Sequence, residues 1–319
     1  MAVTPTPGQR EYVCEKRTEG RASGGLGSYG PGNFYLEDWM RILTMLIALV
    51  GLVGNSEVLW LLGFRIQRNP FSVYILNLAA ADALFLCCAF LRSLDHFASF
   101  FYFSYMALCF VTYTSSSVGL SLLTAISTER CLSVLFPIWY RCHRPKHTSA
   151  AVCAGLWTIG VLIWLLVVFF VYVREHGHDS CYLGYVIPVV WFSLLTCVLF
   201  VSSLTLLLRV QCSSQRRQPP RLYLLVLLNV LVFQLCGLAP GMEIATGLFG
   251  TYFMPFWMPW LLGCVNSSAN PFIYFFLGRQ RNKRREPLRV LLQRVLADDQ
   301  EMGRKSGDIP HTSTLETSS

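Results

Sequence analysis

The sequence predicts an all-α membrane protein, a seven-transmembrane helix bundle with a short amphipathic helix after the seventh span. Of its 319 residues, 54% are hydrophobic and 14% are charged, and the mean hydropathy is +0.47. That composition is too apolar for a soluble globular chain of one or two domains. Seven apolar stretches follow one another, each with at least the ~20 residues that a helix needs to cross ~30 Å of hydrocarbon. They cover residues 42–64, 71–94, 100–135, 150–173, 182–208, 222–249 and 252–277.

Loop lengths and loop charges support this topology. Backbone groups cannot stay unpaired in lipid, so seven spans joined by short loops favour transmembrane helices over the core helices of a soluble protein. The first, third and fifth loops carry nine Lys and Arg residues, whereas the second, fourth and sixth carry only Arg92 and Arg174. This places the amino terminus outside and the carboxyl terminus in the cytosol of a multi-pass plasma-membrane protein. The net charge of +8 is then a topology signal and not a sign of nucleic-acid binding.

Both ends of the chain differ in composition from the bundle, which gives four segments. Residues 1–39 predict a disordered extracellular segment and residues 40–278 the transmembrane domain. Residues 279–297 predict an amphipathic helix with apolar residues at helical spacing, lying on the inner leaflet or against another protein. Residues 298–319 predict a disordered tail whose Ser and Thr hydroxyls are candidate phosphorylation sites, unless they only solvate the tail.

The twelve cysteines do not form a disulfide framework. Most lie within the spans, where cysteine behaves as a small apolar residue, or on the cytosolic side, where thiols stay reduced. Only Cys14 and Cys181 lie clearly outside. They are a candidate disulfide, although two cysteines in mobile segments need not meet the required geometry.

No pattern in the chain indicates catalysis. The sequence contains no phosphate-binding loop, nucleophile elbow or His-Glu-x-x-His helix. His176, His178 and Asp179 stand beside Cys181, but a solvated loop explains them better than a metal site. We therefore expect neither an enzyme nor a bound catalytic metal.

Polar side chains inside the spans are the first candidates for function, because each is costly in lipid unless it faces the bundle. Asp82, Asn55, Asn266 and Ser267 fall near mid-depth or in the inner half. Two interpretations remain open: a structural network that joins helices, or a hydrated pocket around Asp82 that accepts a sodium ion.

Five short motifs occur in the order in which the rhodopsin-like G-protein-coupled receptors carry them. They are Gly54-Asn55, the string NLAAAD ending at Asp82, Glu129-Arg130-Cys131, Trp157, and Asn270-Pro271 followed by Tyr274. Longer strings, such as GLSLLTAISTERCLSVLFPIWYRCHRPKH and NSSANPFIYFFLGR, resemble the Mas-related receptor family over residues 51–297.

The resemblance implies a receptor for an extracellular peptide or small molecule that activates heterotrimeric G proteins, with a sensory role in nociception or itch. Arrestin and receptor kinases would act at the tail. The switch residues it implies are Glu129, Arg130, Cys131, Asn270, Pro271 and Tyr274. An orphan modulatory receptor, or a transporter or channel, is the alternative; a transporter would show inverted repeats or broken helices, which this sequence lacks.

Several positions depart from what the resemblance implies. Tyr105 stands where rhodopsin-like receptors carry a bridging cysteine, and Val171 stands where the family has its helix-four cysteine. We therefore expect the family's disulfide to be absent. Val167 and Tyr185 replace the acidic residues of the relatives that bind cationic ligands, which argues against polybasic ligands here.

The sixth span carries Gly237 in place of a tryptophan, and its proline, Pro240, comes one residue late. Because proline kinks a helix, the shift would turn the kink by about 100°. A local helical irregularity that restores the alignment is the alternative.

The outer half of the bundle is rich in aromatic residues and predicts the ligand pocket. The candidates are Tyr105, Tyr113, Trp191, Glu243 and Trp257. Glu243 either pairs with a ligand cation or extends to the outer water. Glu57, in the first span, has no explanation beyond pairing within the bundle.

In the string STERC, Glu129 stands next to Arg130 at the inner end of the third span. We expect Glu129 to restrain Arg130, as one of the two acidic contacts that hold the inactive state in many rhodopsin-like receptors. Adjacent residues on a helix do not face each other squarely, so we expect only a local contact between them. Residues 216–221 read RRQPPR and offer no second acid at the start of the sixth span. The sequence therefore predicts signalling without agonist.

Overall fold

The computed structural model describes residues 35–65, 69–98, 105–136, 138, 140, 142, 145, 147–175, 181–212, 221–237, 241–242 and 254–279. Within these residues the chain forms seven α-helices and no strand. They are α1 (Leu36–Trp60), α2 (Pro70–Ala98), α3 (Tyr105–Leu135), α4 (Thr148–Glu175), α5 (Cys181–Cys212), α6 (Arg221–Val232) and α7 (Met258–Arg279). The seven-helix architecture is confirmed. Residues 1–34 and 280–319 lie outside the described residues, and with them most of the predicted segments 1–39 and 279–297 and all of the predicted tail 298–319.

Five of the helices, α1 to α5, are long and apolar enough to cross a membrane. The helix α7 has 22 residues, but Asn266, Ser267, Ser268 and Asn270 lower its hydropathy. The described part of α6 is shorter than a full span. Large apolar side chains face outward from α4 and α5, among them Leu162, Phe169, Phe200 and Val201. Such an exposed apolar belt is expected where lipid is the solvent.

The helix α3 lies at the centre of the bundle and packs against α2, α4, α5 and α6. Fully buried Leu78, Leu122, Leu199 and Leu206 belong to one apolar cluster that joins α2, α3 and α5. The inner end of α3 is therefore held by its neighbours, which positions Glu129 and Arg130.

Small residues let α1 approach α7 closely. A Cβ atom on Gly51 would overlap the side chain of Ser268, and one on Gly54 would lie 3.0 Å from Pro271. Side chains larger than hydrogen would push the two helices apart.

In the part of the chain that the structure describes, two π-turns interrupt the regular helices. One, Leu61–Arg65, ends α1, and the other, Phe233–Gly237, continues α6. A π-turn accommodates one extra residue per turn, so the second supports the local irregularity over a turned kink. A Cβ on Gly237 would overlap the Phe233 ring, which explains the small residue at that position. Pro240 lies outside the described residues.

Candidate functional site

Glu129, at the inner end of α3, is held by two tyrosines from outside its helix. Tyr74 on α2 donates its hydroxyl to Oε1 over 2.7 Å, and Tyr140 beyond α3 donates to Oε2 over 3.0 Å. Tyr74 is 1% exposed, so its hydrogen bond is shielded from water. The carboxylate thus ties α3 to α2 and to the segment that follows α3.

Arg130 is buried beside this carboxylate, with 5% of its surface exposed. Its guanidinium carbon lies 4.2 Å from the centre of the Phe71 ring, within cation–π range. Phe71 comes from the first turn of α2, so both members of the acid–base pair contact that helix.

Three serines join α3 to α5 one turn further into the membrane. The Ser127 hydroxyl lies 2.9 Å from that of Ser202 and 3.0 Å from that of Ser203. All three are buried. Buried hydroxyls are stabilising when paired, so this cluster fixes α3 against α5.

The polar side chains at mid-depth join α1, α2 and α7. Asn270 donates from Nδ2 to Oδ2 of Asp82 over 2.5 Å, and Ser267 also interacts with this carboxylate. Asn55 donates from Nδ2 to the carbonyl of Ser267 over 3.1 Å. Pro271 has no N–H to give that carbonyl, four residues earlier in α7, so Asn55 satisfies it instead.

This network also fits a small cation. Asn55 Oδ1 is buried and accepts no hydrogen bond from the described residues. Gly119 on α3 faces Asp82 and has no side chain to fill the space beside it. A Cβ atom on Gly119 would lie 4.0 Å from Oδ1 of Asp82. A carboxylate, an amide oxygen and a hydroxyl are the oxygen donors that hard cations prefer.

Aromatic rings and two arginines meet at the opposite end of the bundle. Tyr113 on α3 stacks on Trp164 of α4, with ring centres 4.8 Å apart, and meets the edge of Trp260 at 5.9 Å. The Arg92 guanidinium covers Trp260 at 3.7 Å. A narrow cleft there is lined by Arg41, Arg92, Phe256, Trp257 and Trp260 together with smaller side chains; we call it the arginine cleft.

Comparison with known proteins identifies the family. Residues 54–274 match the family described as "7 transmembrane receptor (rhodopsin family)". Mas-related G-protein coupled receptor member X1 of Homo sapiens is 41% identical over an alignment of 329 positions, which covers 97% of this chain and 92% of that protein. The chain belongs to the Mas-related G-protein-coupled receptors. Member A of Rattus norvegicus is 43% identical over 288 positions (85% and 93%), and member X2 of Homo sapiens is 43% identical over 294 (83% and 85%).

The comparisons confirm a multi-pass plasma-membrane receptor that binds a ligand, couples to G proteins and is not an enzyme. They do not favour a transporter, a channel or an orphan modulator.

The Mas-related receptor brings some predicted site residues together and separates others. Asn55, Asp82, Ser267 and Asn270 form one network, whereas Asn266 is half-buried and takes no part in its described hydrogen bonds. Trp157 hydrogen-bonds to Asn77 and joins α4 to α2. Cys131 is a half-buried free thiol.

Among the ligand candidates, Tyr113 and Trp257 lie at the aromatic end, but Trp191 packs against the main apolar cluster. Glu243, Cys14 and the side chains of Tyr105, Tyr185 and Cys181 lie outside what the structure describes, so the Cys14–Cys181 pair stays a prediction. Val167 is half-buried on α4.

The structure corrects the expectation for Glu57 and adds residues that the sequence did not single out. Glu57 does not face the bundle; it is exposed on the outer face of α1 beside Val53 and Trp60. Tyr74, Tyr140 and Phe71 were missed because nothing in their spacing connects them to Glu129. A hydroxyl at the buried inner end of an apolar span was the available signal for Tyr74.

Proposed function

We propose that this receptor binds its agonist from outside the cell and transmits the signal through the contacts of Glu129 and Arg130 at the inner end of α3. The observation that carries the proposal is the pair of tyrosine hydroxyls on Glu129, next to a buried arginine. These contacts stabilise one packing of α2, α3 and the following segment. An agonist that favours another packing shifts the population toward it and exposes Arg130 to the G protein.

The orientation follows from the charge pattern of the loops, and the cytosolic partners are those that the family resemblance implies. With the amino terminus outside, the arginine cleft opens to the extracellular side, and the tail reaches receptor kinases and arrestin in the cytosol. Sensory signalling in nociception or itch is the role that the family resemblance implies.

The test is agonist-independent G-protein activation, measured as separation of Gα from Gβγ at matched surface expression. We expect activity above mock-transfected cells for the parent chain and none for Arg130→Ala. Equal activity of the parent chain and Arg130→Ala would contradict this role of Arg130. Parent activity no higher than in mock-transfected cells would contradict the predicted weak off state.

We also propose a sodium ion beside Asp82, held by Asp82, Ser267 and Asn55. A bound cation would neutralise the buried carboxylate and favour the packing in which α1, α2 and α7 stay joined. A tenfold excess of sodium over its Kd is worth about 1.4 kcal/mol of stability. Replacing sodium with choline should lower the unfolding temperature of the parent chain but not of Asp82→Asn; an equal response of both would refute the site.

A further inference from the structure

Glu57 is a charged residue on the lipid-facing side of α1. It is the one charged residue between Arg41 and Arg65, the cations near the two ends of this span. At ~1.5 Å per residue it lies about 12 Å from Arg65, close to the middle of ~30 Å of hydrocarbon. Its side chain is exposed and has no hydrogen bond or ion pair with the residues that the structure describes. A carboxylate at this depth is costly unless a polar group outside the bundle meets it.

The exposed face of α1 has the spacing of a helix–helix contact. Its apolar part includes Leu46, Leu49, Val53, Ser56, Glu57 and Trp60, all exposed. Leu46, Val53 and Trp60 recur every seven residues, and each of the first two is followed three residues later by another member. Such a heptad repeat packs two helices together along one seam, and a charged residue beside the seam selects the partner. Glu57 directly follows the seam position Ser56.

An open groove of about 440 Å³ runs along this face, lined by Leu52, Val53, Ser56, Glu57 and Trp60. Ser56 is small, so a neighbouring helix can approach closely there. Glu57 gives the groove its one charge, and that charge is negative. Arg65 lies over the Trp60 ring at 5.0 Å and forms no ion pair with Glu57, both being described by the structure. The groove therefore suits a helix that brings its own cation.

Two other occupants fit this face less well. A lipid headgroup stays near the level of Arg65, about 12 Å from Glu57, so its cation does not reach the carboxylate. A second copy of this chain, packed through the same face, would bring the two Glu57 carboxylates together at one depth. Like charges repel each other most strongly where water is excluded. A different helix with a cation at this depth remains as the occupant.

We propose that the outer face of α1 is the docking surface for a transmembrane helix of another protein, and that this helix carries a Lys or Arg near its middle. The cation pairs with the Glu57 carboxylate, and apolar side chains of the partner pack against Leu49, Val53 and Trp60. The association needs neither agonist nor G protein, so it is independent of the proposed function.

The experiment measures energy transfer from the labelled full chain to synthetic transmembrane peptides in phosphatidylcholine vesicles. The peptides share one Leu-Ala span and differ only at the central residue, which is Lys, Glu or Leu. A central residue lies near the depth of Glu57 whichever way the peptide inserts. We expect the Lys peptide to reach half-saturation at a mole fraction about threefold or more below that of the Leu peptide. The Glu peptide should bind no better than the Leu peptide, and Glu57→Gln should lose the preference for lysine.

Glu37→Gln is the matched control, because Glu37 is an exposed acid in the first turn of the same helix, before the apolar span. It should keep the preference for lysine. Glu57→Lys should reverse the preference and bind the Glu peptide best, which a loss of packing alone would not produce. Ser56→Leu should weaken binding of the Lys peptide, whereas Thr158→Leu, at an exposed hydroxyl on α4, should not. If Glu57→Lys fails to fold, Glu57→Gln decides the question.

Three results would overturn the assignment. The first is equal binding of the Lys and Leu peptides by the parent chain, and the second is an unchanged preference for lysine in Glu57→Gln. The third is energy transfer between two labelled copies of the receptor that disappears in Glu57→Gln, because the face would then hold a second copy of this chain.

Discussion

Glu129 owes its place to residues that are far from it in the chain. Tyr74 is 55 residues away and Tyr140 is 11 residues away, yet both hydroxyls meet one carboxylate. A hydrogen bond to a charged group contributes about 1.5–3 kcal/mol, so these contacts bias the equilibrium between receptor packings. The sequence had predicted only a local contact of Glu129 with Arg130, and it did not indicate these two hydrogen bonds.

Removing one tyrosine hydroxyl should raise signalling without agonist. In Tyr74→Phe the ring remains and the hydrogen bond to Glu129 is lost, so the packing that holds Glu129 is weakened. We expect basal G-protein activation to rise about twofold or more at matched surface expression. Tyr140→Phe should raise it less, because Tyr140 is only half-buried.

Tyr35→Phe is the control for this pair, since Tyr35 is exposed at the start of the described chain, 69% of its surface being accessible. Its basal activity should equal that of the parent. Unchanged or lower activity in Tyr74→Phe would show that the contact does not hold the inactive packing.

Asn55 should stabilise the fold, because its side chain donates to the Ser267 carbonyl, which receives no N–H from Pro271. In Asn55→Ala the buried Ser267 carbonyl loses its donor, which costs about 1–3 kcal/mol. We expect a lower unfolding temperature for the purified receptor. Thr158→Ala is the control, because the exposed Thr158 hydroxyl donates to the Ala154 carbonyl of its own helix. Its unfolding temperature should equal that of the parent chain. Equal unfolding temperatures for the parent and both variants would disprove the role of Asn55.

At the level of helices, most of the architecture was readable from the sequence. Lengths and hydropathy gave seven spans, because a helix in lipid must satisfy its own backbone and needs a fixed length. Pairings between helices were not readable, because they depend on contacts such as Asn55 with Ser267, 212 residues apart. Arg92 shows this limit clearly: its charge was counted as a loop charge, yet it lies within α2 against Trp260.

The approach of α1 to α7 gives a prediction at this scale. Gly51→Ala places a Cβ against Ser268 and Leu86, and overpacking of this kind costs about 1–3 kcal/mol. Gly155→Ala on α4 is the matched control, since a Cβ there meets nothing within 4 Å. Gly51→Ala should lower the unfolding temperature and the surface expression, while Gly155→Ala should lower neither. The close packing of α1 on α7 would be refuted if both variants behaved alike.

In the whole molecule, α3 connects the two ends of the bundle, and the charges of the loops decide which end faces the outside. The serine cluster and Glu129 fix one end of α3 against α2 and α5, and Tyr113 joins the other end to the aromatic rings beside the arginine cleft. A ligand that moves Trp260 would therefore act on α3 directly. This coupling serves a receptor only if the arginine cleft faces outward, so the orientation of the chain is part of the functional argument.

That orientation can be measured with one epitope at each end. In the sequence, nine cationic residues fall in or beside the predicted odd loops and two in or beside the even ones, which predicts the amino terminus outside. An antibody should label an amino-terminal epitope on intact cells, and a carboxyl-terminal epitope only after permeabilisation. Moving the same epitope into the fourth loop, between α4 and α5, should again give labelling of intact cells. The reverse pattern would place the aromatic end of the bundle in the cytosol, and an extracellular ligand could then not reach Tyr113 and Trp257.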